Sequence, residues 1–281
     1  MHFGKPAVHL LLGAAALALF TLPATADQLQ DILQSKQLRC GTYADVPPFA
    51  APDPSTREIV GFDVDLCKAI ADKLGVKPTI TPLSVDARVP EVKLGHVDVT
   101  IANLAYTKSR AEQIAFSDPY YLAKEMLAVK ASDPGTTKDD FKGKRLSASK
   151  GSTSELAVKL NGSDPLTFQD TGSVFMAVEQ NKSVGMVANT MTITKLVNDS
   201  QKAAVPLKMI NDPMLLEPIC VGMKLGEPAL VAKVNEILVK LDKAGTINQI
   251  WDKWLGPKTE YKMVRDDKVV PLSELKFTPI P

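Results

Sequence analysis

The sequence predicts an α/β protein of two lobes, each a mainly parallel sheet flanked by helices, with two hinge strands joining the lobes. Three observations predict this fold class. Short apolar and β-branched runs alternate with helical patterns over residues 38–102, which is typical of β-α-β-α-β units. A second succession of the same kind covers residues 145–210. Strand-like segments near Lys124 and Ile219 then cross between the two units, as hinges do.

The first unit starts with a strand at residues 38–43, followed by A-D-V-P-P-F, which is typical of a rigid loop. The helix F-D-V-D-L-C-K-A-I-A-D-K-L begins after Gly61, carries apolar residues four apart and stops at Gly75. Residues 79–83, 86–94 and 97–102 are then predicted as strand, helix and strand.

The second unit is predicted to contain strands at 145–149, 166–169, 184–188 and 205–210, a helix that opens at Ser152, and helices at 173–180 and 190–197. A return strand at 219–224 and helices at 229–243 and 246–255 follow. The expected organisation is lobe 1 at 27–125, lobe 2 at 126–217, a return segment of lobe 1 at 218–256, and a tail at 257–281 that is either a strap or a loose end.

Residues 1–26 have the features of a signal peptide. They contain Lys5, an apolar run and the small-x-small sequence Ala24-Thr25-Ala26, so Asp27 is the expected mature start. No later stretch is apolar over the roughly 20 residues that a membrane span needs. The mature chain is therefore expected to be soluble and located in the periplasm.

Charge and composition argue against several function classes. Of the 33 basic residues, Lys5 falls in the signal peptide, so 32 remain against 32 acidic residues and no global field favours nucleic acid. His96 is the one histidine after residue 26 and lies in a turn, so neither a Ser-His-Asp triad nor a histidine-rich metal site is expected. We predict no cofactor and no metal.

Three cysteines, Cys40, Cys67 and Cys220, are an odd number for an oxidising compartment. Cys40 enters a strand and Cys67 lies on the helix that should cover it, so a bridge is conceivable. We interpret all three instead as buried free thiols that behave as small hydrophobic residues.

Arg110 is the first candidate binding residue. The strand V-D-V-T-I-A opens into N-L-A-Y-T-K-S-R, where Thr107 can cap a short helix that holds Arg110 in its first turn. A cation is locally unfavourable there, but an anion could be held by both the guanidinium and the free amides. Loops 43–49, 84–88 and 103–110 should meet beyond the strand ends, where small ligands bind. The alternative is a solvated surface arginine.

The stretch G-S-T-S-E provides a second helix start. Ser152 and Glu155 fit a capping box, which is one interpretation. The other is that Thr153, Ser154 and the free amides of that turn receive an anion.

Six motifs occur in order along residues 38–256: G-T-Y-A-D-V-P-P-F, G-F-D-V-D-L-C-K-A-I-A, L-G-H-V-D-V-T-I-A-N, T-K-S-R-A-E-Q-I-A-F-S-D-P-Y-Y, F-K-G-K-R-L-S-A-S-K-G-S-T-S-E and A-G-T-I-N-Q-I-W-D-K-W-L-G. Together they resemble the periplasmic solute-binding proteins that serve polar amino-acid ABC importers. The resemblance implies a type II periplasmic-binding-protein fold, a small-molecule ligand, a permease partner in the inner membrane and a monomer.

The resemblance also implies a ligand site between the lobes. There the arginine matching Arg110 grips the ligand's α-carboxylate, helped by backbone groups at Asn103 and Ala105. At the position of Tyr43 several members carry an acid or another polar group. Hydroxyl residues of the second lobe complete the site, and they match Ser152, Thr153 and Ser154.

Two departures from the family pattern bear on the ligand. The acid that usually receives the α-ammonium aligns with Thr190, which carries no charge, and aromatic residues expected near Val46 and Val85 are absent. A buried ammonium without a carboxylate partner is costly. Glu217, with Asp45 behind it, is the expected substitute, unless Glu217 is a solvated charge or the ligand has no amine.

Arg88, in D-A-R-V-P, resembles an arginine of acidic amino-acid binders that pairs with the ligand's side-chain carboxylate. Two arginines at one pocket would select a dicarboxylate, because a guanidinium left buried and unpaired is costly. The alternative is an exposed residue in the first turn of its helix.

Three functions are therefore considered. The first is a non-catalytic receptor that closes around a polar, acidic amino acid and is recognised by a permease. The second is a receptor for an organic carboxylate without an α-amine, suggested by Thr190. The third is an enzyme resembling cyclohexadienyl dehydratase, whose acid-base chemistry would depend on Glu217 and Lys150.

Overall fold

The computed structural model describes residues 1, 2, 4 and 27–281, so the predicted signal peptide, apart from residues 1, 2 and 4, lies outside the described residues. In the described part the helices are α1 Gln28–Ser35, α2 Phe62–Leu74, α3 Arg88–Lys93, α4 Lys108–Ala111, α5 Thr153–Leu160, α6 Thr171–Glu179, α7 Thr190–Ser200, α8 Pro228–Lys243 and α9 Thr246–Trp254, with short 3-10 helices at Lys138–Phe141 and Leu272–Glu274. The strands are β1 Gln37–Tyr43, β2 Ala51–Pro52, β3 Ile59–Val60, β4 Lys77–Leu83, β5 Val99–Ala105, β6 Ala115–Phe116, β7 Tyr121–Lys130, β8 Arg145–Ser149, β9 Asp164–Phe168, β10 Gly185–Asn189 and β11 Leu207–Met223.

One sheet connects both halves of the molecule, in the strand order β4-β1-β5-β11-β7-β10-β8-β9. β1 is parallel to β4 and β5, which form the sheet of lobe 1, and β8 is parallel to β9 and β10, which form that of lobe 2. Between them, β11 and β7 are antiparallel to each other and to the strands beside them. The predicted fold class of two mainly parallel lobes joined by two hinge strands is confirmed, while the predicted boundaries between the lobes stay a prediction.

The second hinge strand is longer than predicted. The strands expected at 205–210 and 219–224 are parts of β11, whose pairing with β7 shifts register between Ile210 and Leu215. Pro213 lies inside this irregular stretch, where the ladder does not need its missing N–H. The interruption makes one strand look like two in the sequence, although β11 carries the chain from lobe 2 back to lobe 1.

β5 is also longer than predicted, because it continues beyond residue 102 to Ala105. Asn103 and Ala105 are therefore strand residues and not loop residues, although Asn103 has a left-handed φ of 43°. Every residue of β5 is buried, as in a strand covered on both faces. α1 and the short strands β2, β3 and β6 were not predicted.

α2 begins after Gly61 and ends at Gly75, whose φ is 71°, as predicted from these two glycines. Its first residue, Phe62, packs edge-on against Trp251 with ring centres 5.7 Å apart. The lobe 1 core extends from this contact along α2, α8 and α9. Within residues 27–281, no helix has both the length and the apolar character that crossing a membrane would require.

Cys40 and Cys67 form a disulfide that ties β1 to α2. The interpretation of these two residues as free thiols is therefore wrong. α2 covers β1 closely enough to bring their Cα atoms to 6.4 Å, which is within the range of a disulfide. Cys220 is a buried free thiol, as predicted.

The tail at 257–281 is attached to the body of the molecule by Arg265, which is 5% exposed. Its Nε donates to the Tyr120 carbonyl at 2.9 Å, and its Nη1 lies 2.7 Å from Asp242 Oδ1. A buried ion pair of this kind resists removal of either partner.

Other parts of the tail reach both lobes. The Ile280 carbonyl accepts a hydrogen bond from the Lys108 amide at 2.9 Å, at the start of α4 in lobe 1. Glu260 Oε1 lies 3.4 Å from Lys195 Nζ on α7, in lobe 2. The tail is therefore a strap and not a loose end.

Candidate functional site

A narrow cleft lies between the two lobes. Its cavity measures about 40 Å³, which is room for about three water molecules. Gly151 of lobe 2 approaches Asp86 of lobe 1 so closely that an added Cβ would lie 3.1 Å from the Asp86 Cβ, and its φ of 71° also favours glycine. The lobes are therefore closed on each other. The lining comes from both lobes and comprises Tyr43, Val46, Phe49, Val85, Asn103, Ser149, Ser152, Ser154, Thr171, Ala188, Asn189 and Thr192.

Arg110 joins the two lobes at the cleft. Thr107 caps α4 as predicted, because its Oγ1 accepts from the Arg110 amide at 3.1 Å. The guanidinium, 9% exposed, donates from Nη1 to the Ala105 carbonyl at 2.9 Å and from Nη2 to the Gly151 carbonyl at 3.1 Å, across the cleft. Burial, with a smaller effect of the Arg88 charge, lowers the pKa of Arg110 to about 10. The alternative of a solvated surface arginine is excluded.

Arg88 is 2% exposed and binds only within lobe 1. Its Nε donates to the Val85 carbonyl at 2.8 Å, and its Nη1 donates to the Ala102 carbonyl at 2.8 Å and to Tyr43 Oη at 2.9 Å. These bonds fasten the ends of β1 and β5 to the loop before α3. The alternative of an exposed helix-start arginine is therefore wrong, because the side chain turns inward to four oxygens, the fourth being the Asn103 carbonyl at 3.4 Å.

Both arginines border one cavity of about 280 Å³, which also includes Gly151 and Asp86. The other buried or paired arginines have an acid at close range, such as Arg265 with Asp242 at 2.7 Å. In the described part of the chain, no carboxylate oxygen lies within 4.0 Å of a nitrogen of Arg88 or Arg110. This cavity is therefore bordered by two buried guanidiniums without a direct counter-ion.

The start of α5 brings its hydroxyls to the hinge. Ser152 caps the helix, since its Oγ accepts from the Glu155 amide at 3.1 Å. The Glu155 carboxylate accepts from the Gly151 amide at 2.9 Å, so the reciprocal half of the expected capping box is displaced by one residue. Thr153 and Ser154 are buried and donate to Glu125, at 3.4 and 2.7 Å.

Glu125 and Glu217 form a pair of buried carboxyl groups, one on each hinge strand, and are 2% and 0% exposed. Ala123 pairs with Glu217 and Leu215 with Glu125, so the two glutamates are diagonal neighbours on one face of the ladder. Burial raises the pKa of both carboxyl groups, and the neighbouring Glu217 raises that of Glu125 further. Sequence reasoning identified Glu217 and missed Glu125, although A-K-E in β7 places Glu125 on the same face as the buried Ala123.

The predicted lobe 1 residues are close together. Tyr43 and Asn103 line the cleft. Asn103 accepts a hydrogen bond from the Tyr121 hydroxyl, and Ala105 is fully buried with its carbonyl on Arg110. The structure thus brings Tyr43, Asn103 and Ala105 to the region of the two arginines, but their roles toward a ligand stay predictions.

Thr190 does not line the cleft cavity. Its Oγ1 donates to the Lys124 carbonyl of β7 at 2.9 Å. Asn189, one residue earlier, does line the cleft; its Oδ1 caps α7 by accepting from the Met191 amide at 3.0 Å. Its Nδ2 is buried without a hydrogen-bond partner among the described residues. Asn189 was not among the predicted site residues, because the family pattern aligned the expected acid with Thr190.

The other residues named from the sequence lie in different surroundings. Val46 and Val85 line the cleft as apolar residues, and Asp45 is exposed beside a separate cavity of about 170 Å³. Lys150 is exposed whereas Glu217 is fully buried, so acid-base catalysis by the two residues together is not favoured. His96 is exposed, with Nδ1 3.0 Å from a Glu91 oxygen.

Comparison with known proteins gives a consistent match over most of the chain. The family model described as bacterial extracellular solute-binding proteins, family 3, matches residues 38–257. The chain is 26% identical to the ABC transporter arginine-binding protein 1 of Escherichia coli, over 86% of this chain and 96% of that protein. It is 27% identical to the ABC transporter glutamine-binding protein GlnH of Bacillus subtilis, over 82% of this chain and 85% of that protein.

Among solved structures, a similar fold is found in the ancestral amino acid-binding protein AncCDT-1, a precursor of cyclohexadienyl dehydratase. The TM-score is 0.73 at 29% sequence identity, covering 82% of this chain and 100% of that one. The family match ends at residue 257, so it does not include the strap.

Proposed function

The chain belongs to the bacterial extracellular solute-binding proteins of family 3 and has the type II periplasmic-binding-protein fold, and from that premise we propose that it is the substrate-binding protein of an amino-acid ABC transporter. It is exported to the periplasm and binds a polar amino acid in the cleft between its lobes. Bending at β7 and β11 closes the lobes, and a permease of the inner membrane recognises the closed form. It acts as a monomer and catalyses no reaction.

The two unpaired guanidiniums of Arg88 and Arg110 carry this proposal. A buried charge without a partner costs several kcal/mol, and the lowered pKa of Arg110 reflects that cost. A ligand carboxylate would offset it through charge-assisted hydrogen bonds to the guanidinium fork. Buried cations kept at a gap between hinged lobes are therefore suited to an anionic group that arrives from outside.

We further propose that the ligand is an acidic amino acid. Arg110 receives the α-carboxylate, and the 280 Å³ cavity shared with Arg88 has room for a second carboxylate. The unpartnered Nδ2 of Asn189 supplies another donor at the neighbouring 40 Å³ cavity of the cleft. Donors from both lobes favour a ligand with several acceptor oxygens.

A receptor for an organic carboxylate without an amine is the second candidate. It is favoured by one observation: none of the residues that line the cleft cavity is an acid. The dehydratase hypothesis has no comparable support, because Lys150 is exposed whereas Glu217 is fully buried.

Isothermal titration calorimetry with Arg110→Met tests the proposed function. The variant removes the guanidinium but keeps an unbranched side chain, and truncating a buried charge partner costs about 2–5 kcal/mol of binding. We expect affinity to fall between about 30-fold and several thousandfold. Arg145→Met, at an exposed ion pair with Asp164, is the matched control and should bind like the wild type. Equal affinity of Arg110→Met and the control would contradict the proposal.

The ligand class is tested with L-glutamate, L-aspartate, L-glutamine, L-arginine and glutarate, the last a dicarboxylate without an amine. Arg88→Lys keeps the charge but loses the planar fork. We expect it to weaken L-glutamate binding more than L-glutamine binding. Equal losses would refute the role of Arg88 in selecting a second carboxylate.

A further inference from the structure

The carboxyl pair of Glu125 and Glu217 has too few hydrogen-bond donors. Both hydroxyls at the start of α5 are used by Glu125, through Thr153 and Ser154. Glu217 is fully buried, and neither of its oxygens accepts a well-formed hydrogen bond from a hydroxyl or N–H group of the described residues. Burial raises its pKa, and Thr153 and Glu125 lie close enough to offset part of that rise. Because two carboxylates repel each other in a buried site, this arrangement favours a state in which the pair holds one proton.

The pair lies where an ammonium group would be needed. The carboxylate and the ammonium of an α-amino acid are attached to the same carbon, so the acceptor of the ammonium must lie beside the guanidinium that holds the carboxylate. Arg110 Nη1 donates to the Ala105 carbonyl, and Ala105 pairs with Ile219 of β11, two residues after Glu217. Ser154, which donates to Glu125 at 2.7 Å, also lines the cleft cavity. Ser154 therefore connects the carboxyl pair to the cleft cavity.

We propose that Glu125 and Glu217 together receive the α-ammonium of the ligand, which displaces into solvent the proton that the two carboxyl groups share in the ligand-free protein. The O–H bond of the protonated carboxyl breaks, its proton passes to water or buffer, and the ammonium donates N–H bonds to the carboxylate oxygens. No bond of the ligand is broken. This inference rests on the proposed amino-acid receptor function, and it supplies the negative charge that Thr190 lacks.

The groups that face the pair do not take over this proton. They come from five elements and are Tyr43 on β1, Arg88 on α3, Arg110 on α4, Tyr121 on β7, and Thr153 and Ser154 on α5. Arg110, whose pKa burial lowers to about 10, stays charged near neutral pH, and burial raises the pKa of both tyrosines, so they stay neutral. The exchange with an incoming ammonium therefore falls on the two carboxyl groups.

Two measurable consequences follow from the exchange. Binding of an amino acid releases about one proton, so its affinity rises about tenfold per pH unit over the range in which the pair holds the proton. Glutarate has no ammonium, so it binds without releasing this proton and its affinity lacks this rise.

The experiment is calorimetry of the wild-type protein at pH 7 in phosphate and in Tris, two buffers with different ionisation enthalpies, with L-glutamate, L-glutamine, L-arginine and glutarate. A released proton appears as a difference in binding enthalpy between the buffers. Glu217→Gln and Glu125→Gln keep the side-chain shape but remove one ionisable group each. We expect both to abolish the release and to weaken the amino acids at least about tenfold, while glutarate changes about threefold or less.

Asp63→Asn is the matched control, since Asp63 is another buried acid of lobe 1, whose pKa burial raises to about 8. This variant should still release a proton on binding an amino acid. If Asp63→Asn released no proton, the proposal would be overturned. Equal binding enthalpies of the amino acids in the two buffers would overturn the proposal but not the receptor function. Proton release that persists in Glu217→Gln would have the same meaning. Binding of glutarate alone would overturn it in favour of an organic-acid receptor. A protein that binds none of the four would overturn both.

Discussion

Breaking the disulfide between Cys40 and Cys67 should destabilise the protein without removing its fold. The bond closes a loop of 27 residues between β1 and α2. Loss of that constraint on the unfolded chain is worth about 3.5 kcal/mol at 25 °C by the loop-entropy relation. For a chain of this size, that corresponds to roughly 7–14 °C in Tm, or to a shift of about 1 M in the urea midpoint.

Urea unfolding with and without dithiothreitol measures this difference, because the reductant reaches the bond in the unfolded chain. The background is Cys220→Ala, which removes the buried free thiol and leaves the disulfide as the only thiol chemistry of the described residues. A thiol titration of the denatured, unreduced wild-type protein should find one free thiol per chain. Equal midpoints in the two conditions, or three free thiols, would refute the reasoning.

Three further predictions concern single side chains. Asn189→Asp places a carboxylate where the structure has an unpartnered Nδ2. In calorimetry, L-glutamate should therefore bind at least about tenfold more weakly than to the wild type, and L-arginine more tightly. Asn189→Ser keeps a helix cap and is the control. Burial raises the pKa of Asp63 to about 8, so its contribution to stability is complete below the unfolded pKa near 3.8 and is lost as pH rises through the folded value. The free energy of unfolding of Asp63→Asn should therefore rise relative to that of the wild type, by at most about 4 kcal/mol between pH 5 and pH 8 in urea unfolding. Parallel pH profiles of the two proteins would contradict this. Arg265→Ala leaves Asp242 buried and unpaired and should lower the free energy of unfolding by about 3–5 kcal/mol. The control Arg145→Ala, at an exposed pair, should lower it by about 1 kcal/mol or less. Similar losses for the two variants in thermal unfolding would contradict the role of Arg265 in attaching the strap.

Elements with a complete local signal were predictable from the sequence. Gly61 and Gly75 mark both ends of α2, and the observed β8 covers the predicted residues 145–149. β11 was not predictable as one strand, because its continuity depends on pairing with β7, a segment some distance away in the sequence. The disulfide depended in the same way on how α2 lies over β1.

The candidate site also contains some residues that the sequence could predict and others that it could not. Thr107 and Arg110 carry a local capping signal, and the structure places them at the cleft. Asn189 carries no such signal, because the family pattern points to the neighbouring Thr190, whose side chain donates to the Lys124 carbonyl. Glu125 contacts Glu217 and Ser154 only because β11 and α5 pack beside β7. The alternation of side chains along β7 could therefore not identify Glu125 as a partner of Glu217.

The strap has a practical consequence for how the molecule is handled. Pro281 lies beside α4, since Ser109 Oγ donates to its carbonyl at 3.4 Å, one residue before Arg110. A purification tag fused after Pro281 would therefore sit on the helix that carries the main candidate anchor of the ligand. An environment-sensitive fluorophore attached at the same point would, for the same reason, report directly on whether that helix is engaged.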